Sequence, residues 1–345
     1  MALLSVLGKV PAGKRLERVK RSPHYAGGSF RNLMPTELIV KGVSYLNMMR
    51  DYRNRPAGTT PPGPLPFVCT DLFSLPADRP SVVWFGHSSY LMKVEGVHIL
   101  VDPVFGGNAS PLSFFARSFP GTDVYTPDEF PVIDALIITH DHYDHLDYRS
   151  IRQFAPKIRH VYTSLGVGAH LEYWGIDPSG ITELDWDDGA RIADDLFLTA
   201  KPARHFSGRT FKRNQTLWSS FVLKAGPWSF FLGGDSGYGD HFQTIGEQCG
   251  PFDLAILECG QYGKNWPQIH MFPDQTLLAA SALRAKTLLP VHWGKFSLSL
   301  HDWDEPIRTL VAAAADKGVD ITTPMIGEPL IIGHEIPRTK WWEQV

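Results

Sequence analysis

Short apolar and β-branched runs bounded by turn-forming residues dominate the chain after Val68. Ser81–Phe85 (SVVWF), Tyr90–Val94 and His98–Val101 read as strands, the last two joined at Glu95-Gly96. Ala135–Thr139 (ALIIT) is nearly all apolar, the pattern of a strand covered on both faces. Further strands are predicted at Leu196–Ala200, Leu217–Lys224, Trp228–Leu232, Leu254–Leu257, Thr287–Val291 and Leu330–Ile332, with a hairpin turn at Ala225-Gly226. Helical periodicity appears over Asp147–Phe154, Val167–Trp174, Pro273–Arg284 and the alanine-rich Glu305–Lys317. Two sets of strands with interspersed helices predict two packed sheets with helices outside, an α/β (α+β) architecture. There is no short-period repeat, although one β-rich half followed by another is compatible with an old duplication.

The amino-terminal part has a different character. Arg53–Pro66 (RNRPAGTTPPGPLP) is a Pro/Gly-rich linker unsuited to regular structure. It divides a basic extension, residues 1–65, from the main domain, residues 66–345. The chain carries 33 Lys/Arg and 36 Asp/Glu, a net charge of −3. Residues 1–60 hold 11 of the basic and 3 of the acidic groups, +8, which leaves 22 and 33, −11, for the rest. Such an arm can meet phosphate headgroups and make peripheral membrane contact, or wrap the domain as a solvated strap. No apolar run approaches the roughly 18–20 residues needed to cross a bilayer. Met1–Val10 has its charges after the apolar stretch, the wrong order for a secretory signal, so a soluble cytoplasmic protein is expected. At 345 residues, 43% hydrophobic and 20% charged, the chain can bury a core without staples.

Cys69, Cys249 and Cys259 form no C-x-x-C pair, so they are expected to be buried or semi-buried thiols and not metal ligands. The 14 histidines are more informative. Thr139-His140-Asp141-His142-Tyr143-Asp144-His145-Leu146-Asp147 directly follows an apolar strand and precedes a helical stretch. A loop at a strand's carboxyl end is where an α/β scaffold presents reactive groups. His-x-His-x-Asp-His places four potential ligands in six residues, more than a core tolerates unpaired, and a divalent cation satisfies several at once. His140 and His142 project together, while Asp144 and His145 face a second position. One loop cannot complete two tetrahedral sites, and three residues after other strands are candidates to do so. They are His205, Asp235 (within Gly233-Gly234-Asp235-Ser236-Gly237) and His292.

This order of residues resembles the metallo-β-lactamase superfamily. Trp84-Phe85-Gly86-His87-Ser88-Ser89, Asp102-Pro103-Val104-Phe105, Gly234-Asp235-Ser236-Gly237-Tyr238 and His292-Trp293-Gly294-Lys295-Phe296 are similar to one branch. That branch is the N-acyl-phosphatidylethanolamine-hydrolysing phospholipase D group with its bacterial relatives, some of them lactonase-like. The similarity spans about residues 65 to 335. It implies a four-layer αββα sandwich, the metallo-β-lactamase fold. It also implies His140, His142 and His205 on one metal, Asp144, His145 and His292 on a second, and Asp235 bridging both. No cysteine occupies a matching ligand position, and there is no long inserted domain as in the RNA-cleaving branch, so no nucleic-acid partner is expected.

Two divalent ions about 3.5–4 Å apart share a hydroxide, lower its pKa toward neutrality and neutralise charge on a phosphoryl or carbonyl oxygen. All-N/O ligands suit Zn2+, with Mn2+ or Fe fitting nearly as well. Asp144, Asp235 and His270 are the residues expected to act in catalysis, His270 by protonating a leaving group or binding phosphate. Asp102 is a candidate to orient a ligand histidine, His87 to line the cavity, and Tyr143 either to touch substrate or to pack beneath the metals. The seven other histidines, His24 and His334 among them, lack companion spacing and read as surface or structural. The expected function is a phospholipase D-like phosphodiesterase acting on a small or lipid-like substrate. The branch phrases favour it, as do the basic arm and its Leu33, Leu38, Ile39, Tyr45, Leu46 and Met48. A lactonase or other ester or thioester hydrolase with the same metals remains open, as does a non-catalytic metal-binding protein.

Overall fold

The computed structural model describes residues 5–334 and 336–345. Two sheets pack face to face. The first has seven strands in the order β15-β3-β4-β5-β6-β7-β8. They are β3 (Ser81–Trp84), β4 (Tyr90–Val94), β5 (Val97–Val101), β6 (Ala135–Ile138), β7 (Val161–Ser164), β8 (Ile181–Leu184) and β15 (Pro329–Ile331). The second has six, ordered β14-β13-β12-β11-β10-β9. These are β9 (Gly189–Ala193), β10 (Leu196–Pro202), β11 (Ser219–Ala225), β12 (Trp228–Leu232), β13 (Phe252–Glu258) and β14 (Ala285–Val291). In each sheet an antiparallel part passes into a parallel part, β5-β6-β7-β8 in the first and β12-β13-β14 in the second.

The period-two rule of strands assigns the core. Val82, Met92, Ile99, Val101 and Ile137 face inward and meet Leu198, Phe221, Leu223, Phe230 and Leu232 of the other sheet. Their neighbours Val83, Leu91, Leu100, Leu136 and Ile138 face outward, onto α3 (Tyr148–Phe154) and α4 (Gly168–Tyr173) through Ile151, Phe154 and Leu171. Each such side chain, taken fully out of water, contributes roughly 1.5–3 kcal/mol. On the far side, α6 (Pro273–Ala282) and α7 (Glu305–Lys317) cover the second sheet with Leu277, Ile307 and Leu310. The layers are therefore helices, sheet, sheet, helices, the αββα sandwich expected.

Most predicted elements stand within a residue or two of their expected limits. The sequence pattern did not reveal β7, β8, β9 or α5 (His241–Cys249), nor two helices in the extension, α1 (Gly13–Arg21) and α2 (Tyr45–Arg53). The Arg53–Pro66 linker is mostly irregular as expected, but Arg53 closes α2 and Ala57–Thr59 makes a single 3-10 turn. Of the three thiols, Cys259 is buried and Cys249 half-buried, whereas Cys69 is exposed, against expectation, because it lies on the irregular approach to the first sheet. Residues 5–65 lie along the sandwich. Part of their positive charge is spent in ion pairs with it, Arg15 reaching Glu172 (2.5 Å) and Glu183 (3.0 Å). No described helix is long and apolar enough to cross a membrane.

Candidate metal centre

The carboxyl ends of β5, β6, β10, β12, β13 and β14 converge at one edge of the two sheets. There they deliver Asp102, the His140–His145 loop, His205, Asp235, Glu258 and His292. Asp147 then starts α3, its carboxylate accepting from the N–H groups of Arg149 (3.3 Å) and Ser150 (2.9 Å), which ends the ligand loop cleanly. The turn after β12 is held close to its neighbours. A Cβ at Gly237 would lie 1.8 Å from the Gln268 carbonyl oxygen and one at Gly233 2.5 Å from that of Ile256, so glycine is required at both. Asp102, His87 and His292 take positive φ values of 41°, 52° and 68°, a strained conformation that clusters at functional sites.

Two groups form. In the first, His140 Nε2 lies 2.9 Å and His205 Nε2 3.2 Å from His142 Nδ1, while Asp235 Oδ2 is 3.7 and 3.6 Å from the first two. The other ring nitrogens of His140 and His205 are already committed. His205 Nδ1–H donates to the Ile269 carbonyl (2.9 Å), and His140 Nδ1 lies 3.0 Å from Thr139 Oγ1, whose own proton goes to Asp102. Both Nε2 atoms therefore bring lone pairs to the same point, an arrangement that repels itself unless a cation sits among them.

The second group joins Asp144, His145, His292 and His87. His145 Nδ1–H donates to Asp102 (2.7 Å), and His292 Nδ1 lies 2.9 Å from Ser88 Oγ. The Nε2 atoms of His145 and His292 are buried without a hydrogen-bond partner, 3.7 and 4.0 Å from Asp144 Oδ2. Asp235 Oδ1 faces this side, 3.1 Å from His145 Nε2 and 3.2 Å from His292 Nδ1. Orphaned buried nitrogens beside carboxylate oxygens are what a divalent ion satisfies. Both groups fit one.

Electrostatics agree. Burial, reinforced by neighbouring imidazoles, holds His140, His205 and His292 well below the ordinary histidine range, and burial brings His142 to about 4. These rings are neutral at pH 7, as ligands must be. His145 differs: burial lowers it, but Asp235, Asp144 and Asp102 together carry it above its ordinary value. Burial lifts Asp235 to about 6.

All seven residues expected to hold metal come together, and Asp102 stands behind His145. His270 also joins them. Its ring stacks on that of His292 (centroids 5.1 Å apart), and its Nδ1 lies 2.6 Å from Glu258. His87 does not line the cavity. It is fully buried behind Asp144, its Nε2–H donating to Oδ2 (2.9 Å) and its ring against His292 (4.0 Å). Tyr143 turns away from the cavity, its hydroxyl donating to the Arg209 carbonyl (2.6 Å) and its ring beneath that guanidinium.

Sequence reasoning passed over Glu258, although an acidic residue closing an apolar strand is the same signal that singled out Asp235. It also passed over Asp141, which belongs to neither group of clustered ligands and anchors the loop by accepting from Gly208 N–H (2.7 Å) and Thr216 Oγ1–H (2.9 Å). His142, Asp144, His205, Asp235, His270 and His292 form one end of a cavity of about 300 Å³. Leu38, Ile39, Tyr45 and Met48 of the extension form an apolar wall, and Phe206, Arg213 and Trp266 line it as well. A separate crevice of about 360 Å³ beside α5, lined by Lys201, Arg204 and His241, contains none of the clustered ligands.

Residues 98–293, which include every clustered ligand but His87, match the family model for the beta-lactamase superfamily domain. The chain belongs to that superfamily. A Mycobacterium tuberculosis protein of uncharacterized function is 36% identical over 332 residues, 94% of this chain and 88% of the relative, so the likeness extends into the arm. The Caenorhabditis elegans N-acyl-phosphatidylethanolamine-hydrolyzing phospholipase D 1 is 30% identical over 268 residues, 71% of this chain and 74% of its own. In structure, the metallo hydrolase Igni18 of Ignicoccus hospitalis superposes with a TM-score of 0.56 at 21% identity, covering 74% of this chain and 99% of its own. This superfamily member is thus a metal-dependent hydrolase of the branch that includes the phospholipase D enzymes.

Proposed function

We propose that the chain is a dinuclear phosphodiesterase of phospholipase D type, acting on an amphiphilic or lipid-like phosphodiester. His140, His142 and His205 would hold one ion, Asp144, His145 and His292 the other, and Asp235 would bridge them. Asp235 carries the proposal: its Oδ2 faces one nest of nitrogens (3.6 and 3.7 Å) and its Oδ1 the other (3.1 and 3.2 Å). Zinc suits the donor set best, and Mn2+ or Fe can take the same atoms. When bound, a pair of such ions supplies an acidified water and neutralises charge growing on the phosphoryl oxygen.

The chain's own groups do the rest. Burial raises Glu258, so its carboxyl can hold a proton and donate it to Nδ1 of His270, which leaves an Nε2–H for the cavity; that proton can pass to the leaving oxygen as Nδ1 takes up the one from Glu258. The wall of Leu38, Ile39, Tyr45 and Met48 suits an apolar portion of the substrate, and Arg213 suits an anionic one. Leu46 and Met49 on the outer side of α2, 77% and 70% exposed, support contact with an amphiphilic surface. The phospholipase D name of the C. elegans relative favours a phosphodiester over a lactone.

The test assays purified protein on a chromogenic phosphodiester and, in parallel, on lactones and thioesters, with and without chelator. Diester turnover abolished by chelator and restored by zinc is expected. Turnover of lactones or thioesters alone would overturn the phosphodiesterase assignment.

A further inference from the structure

The amino-terminal extension reaches the candidate metal centre through one side chain. Asn32 lies just past β2 (Ser29–Phe30), which pairs with β1 (Tyr25–Ala26). Its Nδ2–H donates to the His205 carbonyl (2.8 Å), and its Oδ1 accepts from the His205 N–H (3.1 Å) and from Trp218 Nε1–H (3.2 Å). One amide thus brackets both backbone polar groups of His205, as an adjacent strand would.

His205 needs this, because β10 ends at Pro202 and its ladder goes no further. The preceding residue is held on the same side: the Arg204 guanidinium donates to Thr36 Oγ1 (3.0 Å) and to the Pro35 carbonyl (3.0 Å). With the backbone fixed and Nδ1 donating to Ile269, the imidazole has one orientation, Nε2 toward His142 and Asp235.

We propose that Asn32 is a positioning residue for the first metal site, so that the arm is a working part of the centre and not an appendage. The proposal rests on the ligand assignment given above. Groups that orient a metal ligand without touching the metal commonly govern affinity by 10–100-fold. The side-chain hydrogen bonds of Asn32 go to His205 and Trp218 and to no residue of the second group, so its effect should fall on one ion only. A role confined to docking the arm would weaken both sites alike or neither.

The experiment titrates zinc or cobalt into full-length apo protein, with bound metal counted by mass spectrometry and the two sites followed in the cobalt absorption spectrum. Wild type, H205A, N32A and N32D are compared, with far-UV circular dichroism and Tm recorded for each. H205A is expected to lose one ion and so to define the spectrum of an empty first site. N32A should raise the first-site Kd by roughly tenfold or more and leave the second unchanged. N32D keeps the acceptor for His205 N–H and Trp218 but lacks the donor to the carbonyl; it should shift the same site in the same direction and carries the test if N32A does not fold. Wild-type constants in the Asn32 variants, or equal weakening at both sites, would overturn the clamp alone. Retention of both ions by H205A would overturn the ligand assignment and the clamp with it.

Discussion

Asp102 Oδ2 lies 2.7 Å from Nδ1 of His145, and the same carboxylate accepts from the Thr139 N–H (2.9 Å) and Thr139 Oγ1–H (2.6 Å). The carboxylate therefore fixes both the tautomer of His145 and the first residue of the ligand loop. Its replacement should act through the second ion. D102N, whose amide can turn an N–H toward Nδ1, is expected to weaken second-site binding about 10–100-fold while the protein stays folded. Metal titration of the variant checks this, and an unchanged second-site Kd would contradict it.

Chelation should cost stability as well as activity. With the ions gone, His145 and His292 each keep a buried Nε2 with no partner, and Asp235 keeps Oδ1. Each site saturated at 100 times its Kd adds about 2.7 kcal/mol, so removal should lower Tm by several degrees. Thermal melts at graded zinc concentrations, with D235N as the variant that abolishes the dependence, read this directly.

The arm's wall should govern substrate preference. Tyr45 and Leu38 line the cavity and are not among the clustered ligands. Y45A and L38A are expected to raise KM about tenfold for diesters with a long apolar chain, the loss of roughly 1.4 kcal/mol of contact, and to spare small chromogenic diesters. Comparable loss on both substrate types would mean that the wall serves the fold alone.

How much of this could be read from the sequence depends on how local each signal was. The His140–His145 loop is contiguous, and His205, Asp235 and His292 each follow an apolar strand, so chain order singled out the candidates, and the family resemblance divided them between two ions. Asn32 carries no such mark. It is one polar residue in an extension, and its meaning comes from the backbone groups left open where β10 ends. The same distance effect hid the role of the arm's charge: Arg15 is matched by Glu172 and Glu183, far along the chain. Strands β8 and β9 escaped notice because their burial is partial and mixed, which blurs the alternation. His87 and Tyr143 sit in the right sequence neighbourhood, yet the Asp144 carboxylate holds His87, and the Arg209 carbonyl holds Tyr143, behind the site.

Stability should also depend on pH through a histidine outside the centre. Burial, with a smaller contribution from Arg204, brings His241 to about 4 from its ordinary 6.5. Above pH 6.5 the ring is neutral folded or unfolded and contributes nothing to the pH dependence. As pH falls toward 4 the unfolded chain takes the proton first, so folded stability declines, by about 2 kcal/mol at pH 5. H241Q should remove that share of the decline between pH 7 and pH 5, measured as denaturant midpoints; an unchanged decline would show that the ring is protonated when folded.

The most direct measurement is a crystal structure of the zinc-loaded protein with anomalous scattering collected at the zinc edge. Two peaks per chain are predicted, one among His140, His142 and His205, the other among Asp144, His145 and His292, with Asp235 contributing one oxygen to each. A single peak, or density away from Asp235, would contradict the dinuclear centre on which the proposed chemistry depends.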